Sequence, residues 1–210
     1  MEPEPLNRLL ERLKGLFPPE APLRLLPSSG PGAWAAVADR YPGGHAARWF
    51  AASDGQADEL PTFDAHSFCS LAEALNIAET CAELRAQPDG YWVEASWIPI
   101  ATDLTGHTLM LDDRDGRVLS VAHDDDHVAV LAPSPEAWIS GLLEAHAAGT
   151  IVWDSTFGLV EQATLDDVQA FKAAQAGRRA PEVKASHVVL LVLALSGIIG
   201  SLVAFFESRR

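Results

Sequence analysis

Cysteine, basic side chains and catalytic signatures are what this 210-residue sequence has least of. Its two cysteines, Cys69 and Cys81, are too few for a disulfide framework and too widely spaced for a zinc site of the CxxC kind, so both are expected as reduced core residues of a cytosolic domain. Lys and Arg number 15 against 29 Asp and Glu, a formal net charge of −14. That balance excludes nucleic acid as a partner, because phosphates require a basic footprint, and a cationic partner fits better. There is no HExxH, no P-loop, no GxGxxG after a strand and no G-x-S-x-G elbow. Ser, His and Asp occur, as in almost any chain of this length, and carry no weight as a triad. The opening Met1-Glu2-Pro3-Glu4-Pro5 has neither a basic nor an apolar signal region, so no signal peptide is expected. No cofactor is expected either.

Hydrophobic residues make up 48% of the chain, ample for a core. The organising stretch runs from Trp92 to Ala132. Within it lie Trp92–Ala101, Thr108–Asp112, Arg117–Val121 and Val128–Leu131, short apolar runs rich in β-branched residues and separated by Asp/Gly clusters. These predict an antiparallel β-meander. Asp112-Asp113-Arg114-Asp115-Gly116 supplies a glycine where a hairpin needs positive φ, preceded by aspartates that can bond their own backbone. His123-Asp124-Asp125-Asp126-His127 forms the next turn.

The order Trp97-Ile98-Pro99-Ile100-Ala101, Gly106 to Asp112, Gly116-Arg117-Val118, a valine strand, then Ala132-Pro133-Ser134 entering a helix resembles the SUKH superfamily. Upstream, Leu26-Pro27 and Ala52-Ser53-Asp54-Gly55-Gln56 extend the likeness, so it covers roughly residues 20 to 150. Where the family pattern carries an acidic residue after the glycine, this chain has His107. The resemblance implies an α+β fold, an antiparallel meander sheet flanked by helices, and a non-catalytic role. Members include fungal cell-wall-assembly regulators and bacterial immunity proteins of toxin systems.

Around the meander, Leu6, Leu9, Leu10, Leu13, Leu16 and Phe17 have amphipathic helical spacing up to Pro18-Pro19 and predict a helix packed on its own domain. Leu23–Leu26 reads as a short strand, Ala33–Tyr41 as a helix, His45–Phe50 as a strand and Leu60–Phe63 as another. Phe68–Arg85 reads as a long helix capped by Ser67 or Ser70, with Leu71, Leu75, Ala78 and Leu84 on its buried side. Ser134-Pro135-Glu136 starts a helix that Gly149 closes, Thr150–Trp153 reads as an edge strand, and Leu165–Ala176 as a last soluble helix. Phe157–Val160 receives no element.

After a basic linker, residues 177–186, the 19 residues Val188–Phe206 are uncharged. At about 1.5 Å each they reach about 28 Å, close to a hydrocarbon core of about 30 Å, so a transmembrane helix over 187–206 is expected, with Val188, Leu193, Ile198, Leu202 and Phe206 in the bilayer. Thirteen of the 19 are Val, Ile, Leu or Phe; at about −0.3 to −0.6 kcal/mol each, they favour insertion. Lys172, Arg178, Arg179 and Lys184 precede the span and only Arg209 and Arg210 follow it, which puts the domain in the cytoplasm. The expected organisation is an N-terminal amphipathic helix (1–19), an α+β domain (20–176), the linker and a single-pass anchor.

Two classes of function follow. The first is a binding module that presents an acidic surface to a protein, and the resemblance makes that partner a basic toxin or nuclease domain. Its contacts are expected at Asp112, Asp113, Asp115, Asp124, Asp125 and Asp126, with Trp97 as an anchor. A regulatory scaffold for envelope or cell-wall processes is a variant of this class. The second is a metal-dependent hydrolase using Asp113, Asp115 and the His123–His127 turn, disfavoured because adjacent residues of a strand point to opposite faces.

Overall fold

A computed structural model describes residues 4–57, 60–87, 93–103, 105–122 and 128–177. The chain divides into two units, Met1–Leu165 and Asp166–Arg210. The first is α+β. Three helices, α1 (Leu6–Lys14), α2 (Pro31–Ala38) and α3 (His45–Ala52), precede a two-residue strand β1 (Ser67–Phe68) and helix α4 (Leu71–Arg85). The meander follows as β2 (Trp97–Thr102), β3 (Thr108–Asp112), β4 (Val118–Val121) and β5 (Val128–Ala132). Helix α5 (Pro135–Ala147), strands β6 (Ile151–Asp154) and β7 (Gly158–Glu161), and α6 (Gln162–Gly177) complete the described elements.

The five strands β1 to β5 pair antiparallel in chain order. Alternation sends Leu109, Leu111 and Val118 to one face and Met110, Leu119 and Val121 to the other. The first face carries the main core, with Leu9, Leu10 and Leu13 of α1, Trp49 and Phe50 of α3, and Trp138 and Ile139 of α5. Trp49 meets Phe68 edge-on at 5.5 Å between ring centroids and Trp138 at 6.1 Å. The second face packs on Val93 and, from α4, Cys81 and Ile77. Pro99 lacks a ladder donor yet lies in the second strand of the sheet. A register shift between Pro99 and Ala101 accommodates it, since bulges are where a strand tolerates proline.

Several expectations hold. The amphipathic leucines of α1 pack against their own domain. Ser70 caps α4 by accepting from the Glu73 amide at 3.2 Å, and Ser134 caps α5 by accepting from Ala137 at 3.1 Å. Both cysteines are free and buried, and burial pushes their thiols up, away from reactivity.

Others are corrected. His45–Phe50 belongs to helix α3, where Ala46, Trp49 and Phe50 are buried at helical spacing. Leu60–Phe63 forms no strand: Phe63 makes only isolated bridges, to His66 and Leu159. Thr150–Trp153 does not extend the sheet, because β6 pairs with β7 in a separate hairpin that also gives Phe157–Val160 its place. Leu84 is exposed, since α4 turns Ala74, Ala78 and Cys81 inward instead. Among the described residues no helix is long and apolar enough to cross a membrane. The expected span, with Val188, Leu193, Ile198, Leu202 and Phe206, lies outside them, as do Trp92 and the His123–His127 turn.

Candidate functional site

Strand β3 has an aspartate-bearing turn at each end. At its C-terminal end the hairpin closes through Gly116 donating to the Asp112 carbonyl at 2.8 Å and Asp112 donating to Arg117 at 2.9 Å. Gly116 sits at φ +82°, the conformation expected of it. The Asp112 side chain is fully buried opposite Trp97. Its Oδ1 accepts from the Arg114 amide and Nε, both at 3.1 Å. Its Oδ2 accepts from Arg114 Nη2 at 3.0 Å and Trp97 Nε1 at 3.1 Å, with Arg117 Nη2 3.5 Å away. Burial alone drives this carboxyl toward its neutral form, but the Arg114 and indole donors outweigh it and hold the pKa at about 2.

Asp113, also buried, reaches across the chain. Oδ2 accepts from the Gly43 amide at 2.6 Å and Oδ1 from the Ala46 amide at 2.8 Å, so one carboxylate satisfies donors at the start of α3. The approach is so close that a Cβ on Gly43 would lie 1.6 Å from the Asp113 carbonyl oxygen, which restricts that position to glycine. Asp54 serves α4 in the same way, accepting from the Leu71 amide at 2.7 Å. Asp115 remains on the surface beside Arg117, 2.8 Å from its Nε.

The turn before β3 is different. Asp103 Oδ1 accepts from the Thr105 and His107 amides, each at 2.8 Å, and from the Thr105 hydroxyl at 3.0 Å, and Oδ2 accepts from the same hydroxyl at 2.8 Å. Partial burial opposes the charge, but these donors prevail and hold the carboxyl below its usual range. Beside it opens a cleft of about 600 Å³, lined by Asp103 and Thr102, by Phe68 and Glu73, and by Ala65 and Phe157 among others. Part of its rim is strained: Ala65, and Asp64 before it, sit at φ 65° and 44°, which costs a non-glycine residue about 1–2 kcal/mol each. Two hydrogen bonds at 2.9 Å hold them there, Asp64 donating to Leu159 and Ala65 to Phe157.

Of the residues expected at a binding surface, Asp112, Asp113 and Asp115 therefore lie together on one hairpin with Trp97 beside them. Asp112 and Asp113 point inward, Trp97 is half-buried on the second core, and only Asp115 is open to solvent. Asp124, Asp125 and Asp126 lie outside the described residues. Asp103 and Phe157 carry no expectation from sequence and Glu73 only that of a helix-cap position three residues after Ser70; the Asp-x-Thr spacing of Asp103 and Thr105 is the signal that marks the turn. Among the described residues no group of His, Cys, Asp and Glu is arranged to hold a metal.

Residues 45–141 match the model of the SMI1 / KNR4 family (SUKH-1), which supports the SUKH superfamily. No curated protein matches the chain. The match starts at α3 and ends within α5, so it takes in the whole five-stranded sheet and the Asp113 contact to α3. It is consistent with a non-catalytic module of the immunity or regulatory type.

Proposed function

We propose that the chain is a non-catalytic protein-binding module, held at a membrane by residues 188–206 with its domain in the cytoplasm. In this reading it neutralises a basic toxin domain through an acidic surface. The observation that carries it is how the described carboxylates are used. Asp112 and Asp103 have their proton affinity lowered by fixed internal donors, and Asp113 and Asp54 satisfy helix amides. A general acid or base needs an affinity moved toward neutrality, and Asp112 and Asp103 have moved away from it. The family match and the −14 charge support the same reading.

The test is capture from membranes with the full-length chain and with a chain truncated after Ala185, followed by identification of what is retained. A basic toxin or nuclease domain held by both forms, with an affinity that falls steeply with salt, is the expected result. Partners held only by the anchored form, and drawn from envelope or division proteins, would replace the neutraliser with a membrane scaffold.

A further inference from the structure

We infer that the 600 Å³ cleft beside Asp103 is an anchor pocket for a lysine or arginine side chain of the partner protein. The inference deepens the binding reading above and takes from it that the partner is a basic protein. Its own grounds are local. The volume falls within the range of about 300–1,000 Å³ that pre-formed ligand pockets occupy. Among the described residues the lining contains two carboxylates, Glu73 and Asp103, and no Lys or Arg. Glu73 is exposed in the first turn of α4 and makes no ion pair among the described residues. This contrasts with the hairpin carboxylates, which have guanidinium or helix-amide partners.

The floor and wall suit a long cationic side chain. Half-buried Phe157 offers apolar surface for a methylene stem, while Thr102 and the two carboxylates offer acceptors for its head. The rim is pre-formed, because Ala65 is pinned to Phe157 by its backbone bond in a conformation it would not otherwise hold. A pocket already in its binding shape loses little to reorganisation when a side chain enters.

The experiment is an amide NMR titration of the full-length protein in nonionic-detergent micelles. The probes are Ac-Gly-Arg-Gly-NH2 and Ac-Gly-Lys-Gly-NH2, with the Gln and Glu tripeptides as controls. Saturable shifts confined to Ala65, Ser67, Thr102, Asp103, Thr105 and Phe157 are expected for a basic probe, with the controls about tenfold weaker or more. Glu73→Gln should weaken binding about fivefold, Glu73→Lys should abolish it, and Thr156→Trp should block entry sterically. Glu73 and Thr156 are exposed, so these variants keep the native spectrum elsewhere. Shifts spread over the acidic surface, equal response to the Glu probe, or unchanged affinity in Glu73→Gln would each overturn the inference. A captured toxin domain that binds Glu73→Lys at full affinity would sink the pocket and leave the neutraliser reading standing. Saturable peptide binding at the cleft, with no toxin recovered from membranes, would do the reverse.

Discussion

At the C-terminal end of β3, Asp112 and Asp113 are sealed beneath Arg114, Arg117 and the start of α3, while at the N-terminal end Asp103 is bonded within its own turn and lines an open cleft. Both turns are built from the same residue type, and in both an aspartate, Asp112 or Asp103, has its pKa lowered by hydrogen-bond donors. What separates them is where the donors come from. Asp113 draws its two donors from residues 67 and 70 positions away in the chain, so its charge joins the sheet to a helix. Among the described residues Asp103 draws its hydrogen bonds from its own turn and ties no other element to the sheet. Asp113 thus couples distant elements of the fold, which Asp103, bonded within its own turn, does not among the described residues.

The sharpest way to break this contrast is Asp113→Ala. It leaves two amides near α3 without an acceptor, each worth about 1–3 kcal/mol, so stability in urea unfolding should fall by about 3 kcal/mol. The second effect is on pH dependence. Asp112 titrates at about 2 when folded against an ordinary 3.8, so the folded state binds its proton less readily. Its stabilisation, about 2 kcal/mol, is complete above about pH 5 and is lost as pH falls through the unfolded value toward the folded one. Asp112→Asn should flatten that acid limb of the stability curve. Trp97→Phe removes the indole donor to Asp112, and calorimetry should show a loss of about 1 kcal/mol. Asp115→Asn, on the exposed side of the same hairpin, should change stability by only about 0.3 kcal/mol.

The meander was legible because β-branched runs and Asp/Gly turns are local signals, and the starts of α4 and α5 were legible because Ser70 and Ser134 sit beside the amides they cap. Helix α3 was not. Residues 45–50 are short, aromatic and alanine-rich, a pattern that fits strand or helix, and what fixes the helix is a carboxylate from the far hairpin. The β6–β7 hairpin was half legible, because Thr150–Trp153 reads as a strand while its partner at Gly158 carries a weak pattern. For the site, turn aspartates all look alike in sequence. Burial of Asp112 depends on two arginines folding back over it, and that of Asp113 on the close approach Gly43 allows. The cleft joins residues from five separate stretches of chain, so no spacing announces it.

The division between the two ends of β3 is tested most directly by urea unfolding of Asp113→Asn and Asp103→Asn side by side. In Asp113 each oxygen accepts a different amide, so the new NH2 must face an N–H whichever way the side chain turns. In Asp103 one oxygen accepts both amides and, among the described residues, the other meets a hydroxyl that can rotate, so the amide side chain fits. The account predicts a loss of about 2 kcal/mol for Asp113→Asn and of about 0.5 kcal/mol or less for Asp103→Asn. Equal losses would contradict it, because the Asp103 turn would then be as much a part of the fold as the hairpin.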